Sequence, residues 1–376
     1  MIISFITCLF LSAFTVNADP GNPYIGRDVY RFPDYVSAAT AGALAITNGT
    51  ISQNALKVAN TPNFLWIDRV AKIPEFEKAL ARASIALGRV HVFSVPLSAP
   101  VVQIVLYNIP GRDCASLTPS TGDFEATVEG VEAYKEKFID VIVGIAKKYP
   151  TIPVVVILEP RSLVSLITSL SIARCANAAS DYKSSITYAL SALSTSSTIT
   201  TYIDISSTQI LTWPANIAPA AKLLNQLYQA AGYPASVRGF ATNVGWYNYL
   251  EASPGDPYPN STELVYVQTL TKAIRSSTSV SPIPAHAIIN QARSGYGGIS
   301  DTCNLRMAGV GPRPVVDVSD IVDAIVWTER IGVSDGSSFD DKARCGGSDS
   351  YTPSPPAGAW FQTYFEWLVR RANPEL

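Results

Sequence analysis

The sequence predicts an α/β fold organised around a parallel sheet or barrel. Short apolar runs alternate with longer amphipathic stretches along the 376 residues, the pattern of strands joined by helical crossovers. Most of the short runs end on a polar residue. In α/β barrels the ligand site lies at the C-terminal ends of the strands, so such residues converge on one cleft. Apolar residues make up 47% of the chain, ample for a sizeable core.

In chain order the candidate strands are Phe64–Asp68, Gln103–Tyr107, Val154–Glu159, Thr201–Asp204, Gly239–Asn243, Ala287–Asn290 and Ala324–Trp327. Candidate helices between them include Gly130–Lys148, Asp181–Ser194 and Ala218–Ala231. The polar strand ends are Asp68, Tyr107 with Asn108, Glu159, Asp204, Asn243 and Asn290. No internal repeat and no Ser/Thr/Pro-rich linker is visible, so a single domain is expected over residues 19–376, without a carbohydrate-binding module.

Charged residues are only 15% of the chain and the formal net charge is -2. That balance excludes a basic field for nucleic acid and a polybasic hold on an anionic membrane. Residues 1–18 read as a secretory signal peptide: an apolar run from Ile2 to Val16, then a small-x-small site at Val16-Asn17-Ala18. The protein is expected to be extracellular and monomeric. Beyond Cys8, four cysteines remain, Cys114, Cys175, Cys303 and Cys345. An even number in a secreted chain predicts two disulfides, with three pairings open to sequence. Their spacing is unlike a zinc site, and His91 and His286 have no partners at ligand spacing, so no metal or organic cofactor is implied. Asn48 and Asn260 open glycosylation sequons.

The most informative segment is Val155-Val156-Ile157-Leu158-Glu159-Pro160-Arg161-Ser162-Leu163, a strand entering a turn. With the blocks Phe64–Asp68, Pro110-Gly111-Arg112-Asp113-Cys114, Cys175–Ala178, Trp213–Asn216, Ala241–Val244 and Ala357–Gln362, it resembles glycoside hydrolase family 6, the cellobiohydrolases and endoglucanases. The resemblance runs from Asn22 to Pro374. It implies a distorted parallel β/α barrel of about seven strands, inverting hydrolysis, and a β-1,4-glucan chain or oligosaccharide as partner. It also implies the disulfides Cys114–Cys175 and Cys303–Cys345.

Inverting hydrolysis needs an acid at the leaving oxygen and a base serving the water on the other face. The family's acid follows the Glu-Pro pair, where this chain has Arg161. A guanidinium stays protonated far above neutral pH and cannot supply that proton. By the same resemblance Asp113 tunes the acid, Asp335 is the candidate base and Tyr107 stands beside the cleaved bond. Asp204 binds sugar, and Trp66 and Trp213 are stacking platforms, although a strand-end tryptophan such as Trp66 is as often core. Asp68 and Asn243 join the substrate-binding set from their strand ends. Arg161 is expected to pair with Asp113. The segment Ile205–Ile210 lacks the family's histidine and aromatic, Trp246 replaces a substrate-binding asparagine, and the loop Thr328–Val333 is short and suggests an open groove.

The primary expectation is therefore a family 6-like glucanase, impaired or inactive in catalysis, that retains glucan binding. An active inverting glucanase would need another acid: Asp113, Glu159, Asp340 or Asp341. The third alternative is an interaction protein with a vestigial cleft.

Overall fold

The computed structural model describes residues 21–90, 98–116, 122–206, 214–252, 258–277, 281–296 and 303–376. The expected signal peptide and Trp213 lie outside the described residues, as does most of the altered segment after Asp204.

Helices α1 (Pro33–Leu44) and α2 (Gly49–Ala59) precede the first strand, β1 (Leu65–Ile67). Then follow α3 (Ile73–Val90), β2 (Val102–Leu106), α4 (Val128–Tyr134), a π-helical turn over Lys135–Ile139, α5 (Asp140–Lys148) and β3 (Val154–Leu158). Next come α6 (Ser162–Thr168), α7 (Ala173–Leu193), β4 (Ile199–Asp204), α8 (Pro214–Ala230), β5 (Val237–Thr242), α9 (Glu263–Arg275) and β6 (His286–Asn290). The chain ends with β7 (Val315–Ser319), β8 (Val322–Val326), α10 (Lys342–Cys345) and α11 (Gln362–Arg370).

The strand order is β1-β2-β3-β4-β5-β6-β8-β7. Every pair is parallel except β7 with β8. The expected strands all form, within a residue or two at their ends. The strand missed from sequence is β7, an edge strand exposed along its whole length, so it carries no buried period to read.

Strand alternation shows how the sheet curls. Val105, Val155, Ile157, Tyr202, Ala241, Ile288, Ala324 and Val326 come from six different strands, yet they share one compact interior cluster. Their neighbours Val154, Val156 and Leu158 point the other way, into the larger core under the helices. Successive side chains of a strand face opposite sides, so one face of this sheet wraps on itself while the helices cover the other. Both faces are buried, which is why the strands read as continuous apolar runs.

Polar groups close the N-terminal end of this interior. Arg238 grips Asp323 with two hydrogen bonds of 2.9 Å, and the Tyr202 hydroxyl donates to the same carboxylate at 2.6 Å. Both disulfides form as the family resemblance implied. Cys114–Cys175 ties the loop after β2 to α7, and Cys303–Cys345 ties the loop after β6 to α10.

At Gly239 strands β5 and β6 approach so closely that a Cβ would lie 1.9 Å from the carbonyl oxygen of His286. That neighbour is backbone and cannot swing aside. Gly239→Ala should therefore destabilise the fold by about 1–3 kcal/mol, the range for overpacking a core, measured by urea unfolding against wild type.

Candidate active site

The strand ends β2 to β5 carry an unusual concentration of backbone strain. Asp113, Glu159, Arg161, Ser206 and Asn243 all adopt positive φ, between 47° and 66°. Such conformations cost about 1–3 kcal/mol each in a side-chain-bearing residue and persist only where the surroundings over-determine them. The hydrogen bonds explain what holds each one.

Glu159 is fully buried. One oxygen of its carboxylate accepts the backbone N–H groups of Asn108 and Ile109, each at 3.0 Å, and the other accepts the Tyr134 hydroxyl at 2.9 Å. Burial pushes its pKa up to about 7, against the lowering effect of these donors. Asn108 passes the linkage on: its amide donates to Asp123 at 3.0 Å and accepts the Asp123 N–H at 3.0 Å. The loop bearing Tyr107 and Asp113 is thus pinned from β3.

Arg161 follows two residues later. Its backbone N–H donates to Oδ1 of Asp204 at 2.9 Å, an oxygen that also accepts the Ser206 N–H at 3.0 Å. The guanidinium lies over the Trp246 ring, 4.8 Å from its centroid. Asp113 accepts a short hydrogen bond from the Tyr107 hydroxyl. The indole face of Trp246 stabilises the cation, an interaction worth about 0.5–2 kcal/mol.

Tyr107 and Trp66 stand edge to face with ring centroids 5.7 Å apart, and Arg112 lies 4.6 Å above the Tyr107 ring. Trp66 is partly buried, with its Nε1 donating to the Thr328 carbonyl at 2.8 Å. This edge-on contact with Tyr107 places Trp66 beside the site. Asp68 pairs with Lys72 at 2.9 Å and Arg69 at 3.3 Å. Burial would raise its carboxyl, but these cations outweigh it and hold the pKa below the ordinary value.

Asp204 is 1% exposed, and its Oδ2 has no hydrogen-bond partner. Burial pushes its pKa up to about 7, against the two backbone donors and Arg161. Asp335 has the opposite balance. Its side chain is 25% exposed, and its Oδ2 accepts Arg293 at 2.6 Å and the Asn304 N–H at 2.8 Å. Desolvation works to raise it, but Arg293 prevails and the pKa falls below the ordinary value. Asp335 therefore stays ionised, the form a base requires.

Asn243 proves to be scaffold. Its side chain is fully buried and donates to the Asn290 carbonyl at 2.8 Å and Ser294 Oγ at 3.0 Å, while accepting the Asn248 N–H at 3.1 Å. Its amide is consumed within the protein, so its assignment as a sugar ligand gives way to a structural role. Glu329, singled out only as part of a shortened loop, is likewise internal: it accepts Gly245 N–H, Asn290 Nδ2 and Thr328 Oγ1 at 2.8, 2.8 and 2.6 Å. Trp246 is the participant whose contact with Arg161 sequence reading missed. Only the departure at its position flagged it. Among the described residues no group of His, Cys, Asp or Glu is placed to hold a metal ion.

Known proteins share this fold and much of the sequence. The family model for glycosyl hydrolases family 6 matches residues 24–372. Exoglucanase 3 of Agaricus bisporus is 40% identical over 369 residues, covering 95% of this chain and 80% of the relative. The catalytic core of the cellobiohydrolase Cel6A from Chaetomium thermophilum superposes with a TM-score of 0.84 at 36% identity, over 94% of this chain and 99% of that one. Cellobiohydrolase II (Cel6A) from Humicola insolens, solved with glucose and cellotetraose, gives 0.83 at 33% identity, over 95% and 100% of the two chains.

Asp204 and Glu159 also make stability depend on pH in a defined direction. Both folded pKa values, about 7, lie above the ordinary carboxylate values of 3.8 and 4.5. Between those limits the native state binds more protons than the unfolded chain, so their contribution is full below about pH 4 and is lost as pH rises through about 7. Thermal unfolding should show the midpoint falling from pH 5 to pH 8. An Asp204→Asn variant should flatten that fall, and an unchanged slope would remove Asp204 from the explanation.

Proposed function

The chain belongs to glycosyl hydrolases family 6, and from that premise we propose that it is a secreted glucan-binding protein whose hydrolysis is disabled at residue 161. The relatives are named as exoglucanases and cellobiohydrolases, and β-1,4-glucan is the substrate class their names carry to this chain. The observation that carries the reading is Arg161, a permanent cation seated on Trp246 at the turn where the family acid would stand.

Among the described residues, four of the carboxyl groups that could replace it are committed elsewhere. Glu159 is enclosed by three donors on the far side of the turn. Asp113 faces Tyr107, whose phenol is held protonated because burial and then Asp113 itself drive its pKa far up. Asp204 has one oxygen tied to two backbone N–H groups and almost no exposure. Asp341 is bound to Arg344 at 2.8 Å. Asp335 retains the character of a base, so the pair required for inversion is broken on the acid side alone. Loss of a general acid costs about 10²–10⁴-fold in rate. Trp66 and Tyr107 remain as aromatic surfaces for sugar rings. Secretion is supported by the N-terminal apolar run and by two disulfides.

The test is a paired assay on amorphous cellulose and cellopentaose. Wild type should release no cellobiose, yet cellopentaose should change its tryptophan fluorescence. Arg161→Asp should gain hydrolysis, and Trp66→Ala should bind roughly tenfold more weakly, the scale of one lost aromatic contact. Sustained cellobiose release by wild type would overturn the proposal.

A further inference from the structure

A second polar cavity lies outside the cleft, between the segment leading into α1 and one face of α3. Its volume is about 340 Å³, and its walls include Tyr30, Phe32, Asp34, Glu75, Lys78 and Arg82. That is the small end of the range for ligand pockets. Glu75, Lys78 and Arg82 recur at helical spacing, so they stand on one face of α3. Among the described residues none of these three forms an ion pair. All three are solvent-exposed, so their charged ends are open to a ligand.

The aromatic floor has a similar surplus. Tyr30 and Phe32 meet edge to face with centroids 5.2 Å apart. The Tyr30 hydroxyl oxygen is buried and has no hydrogen-bond partner. Burial raises its pKa, and Arg82 lies near enough to oppose that rise without satisfying the oxygen in good geometry. A buried polar atom with no partner is a cost that a ligand's hydroxyl would relieve.

The cavity is coupled to the cleft wall. Arg330 pairs with Asp34 at 3.3 Å, lies over Phe32 at 5.0 Å and donates to Asn63 Oδ1 at 3.3 Å. Two residues earlier in the same segment, the Thr328 carbonyl accepts Trp66 Nε1. One short segment thus backs both the Trp66 platform and the cavity.

We propose that this cavity is a second saccharide site, separate from the cleft, that takes glucose units of a β-1,4-glucan. Asp34 is held by Arg330, which leaves Glu75, Lys78 and Arg82 to face a ligand. They present acceptors and donors together, and a sugar hydroxyl is both. The half-buried Tyr30 ring, backed by buried Phe32, supplies the apolar contact that the C–H face of a pyranose requires. The inference rests on the glucan reading of the fold but not on the cleft being a binding site, and the experiment separates the two.

The experiment is calorimetric titration of the full chain with cellotetraose, alongside tryptophan fluorescence. Wild type should show two classes of site. Trp66→Ala should abolish the fluorescence response and leave the second class intact. Lys78→Ala/Arg82→Ala should keep the fluorescence response and weaken the second class more than about tenfold, equivalent to 1.4 kcal/mol. Glu75→Gln, which keeps size and removes only charge, should weaken it in the same direction, which guards against misfolding as the cause. A single class of site, lost in Trp66→Ala and untouched by the α3 variants, would overturn this inference while sustaining the cleft. Binding that survives Trp66→Ala but fails in the α3 variants, with no fluorescence response in wild type, would sink the cleft reading and sustain this one.

Discussion

The arrangement of the site depends on one buried carboxylate. Glu159 has no exposure, so without compensation its ionised form would carry a desolvation penalty of several kcal/mol. Three donors from two other elements supply that compensation: two consecutive N–H groups just after β2, and a hydroxyl from α4. The same contacts fix where Tyr107 begins its loop and how β3 turns into α6. Positive φ at residues 159 and 161 is tolerated because Glu159 and Asp204 hold the turn from both sides. The turn is thus specified by its neighbours and not by the side chain that it displays.

That distinction explains how an arginine came to occupy this position without cost to the fold. Residue 161 contributes to the architecture through its backbone: its N–H to Asp204 and its carbonyl to the Ser165 hydroxyl. Neither contact depends on side-chain identity. The guanidinium finds part of its environment on the Trp246 ring. At Asp335 the opposite holds. Its carboxylate binds Arg293 and the Asn304 N–H beside the Cys303–Cys345 bridge, so its removal would leave a buried cation unpaired, a change costing about 3–5 kcal/mol. A candidate base kept by structural need can outlast a candidate acid that serves chemistry alone.

The same logic sets what was legible in the sequence. The strands were legible because burial on both faces writes itself as continuous apolar runs, as in Val154–Leu158. The antiparallel edge strand β7 was not, because none of its residues is buried. Polar strand ends were correctly seen to gather at one end of the sheet, but their orientations were not in the sequence. Asn243 and Asp204 occupy equivalent strand ends, yet the first has its amide consumed by Asn290, Ser294 and Asn248, while the second keeps an oxygen unpartnered. Arg161 was expected to seek the nearest carboxylate in the motif. The contact that could not be read from sequence is with an indole from the loop after β5, on which its guanidinium lies.

On the proposed reading, Arg161 affects more than the missing proton. Glycoside cleavage passes through an oxocarbenium-like state, so positive charge develops on the sugar as the bond breaks. An ionised aspartate near that point would be attracted to it, whereas a guanidinium is repelled. A bound glucan in its ground state is neutral and experiences little of this. The cation thus raises the transition state while leaving the ground-state complex nearly unchanged, and only interactions that differ between the two states alter the chemical step. Catalysis and binding are separable at this one position for that reason. On the proposed reading, aromatic contacts from Trp66 and Tyr107 would act on sugar rings in both states alike and so hold a glucan chain that residue 161 does not help to cut.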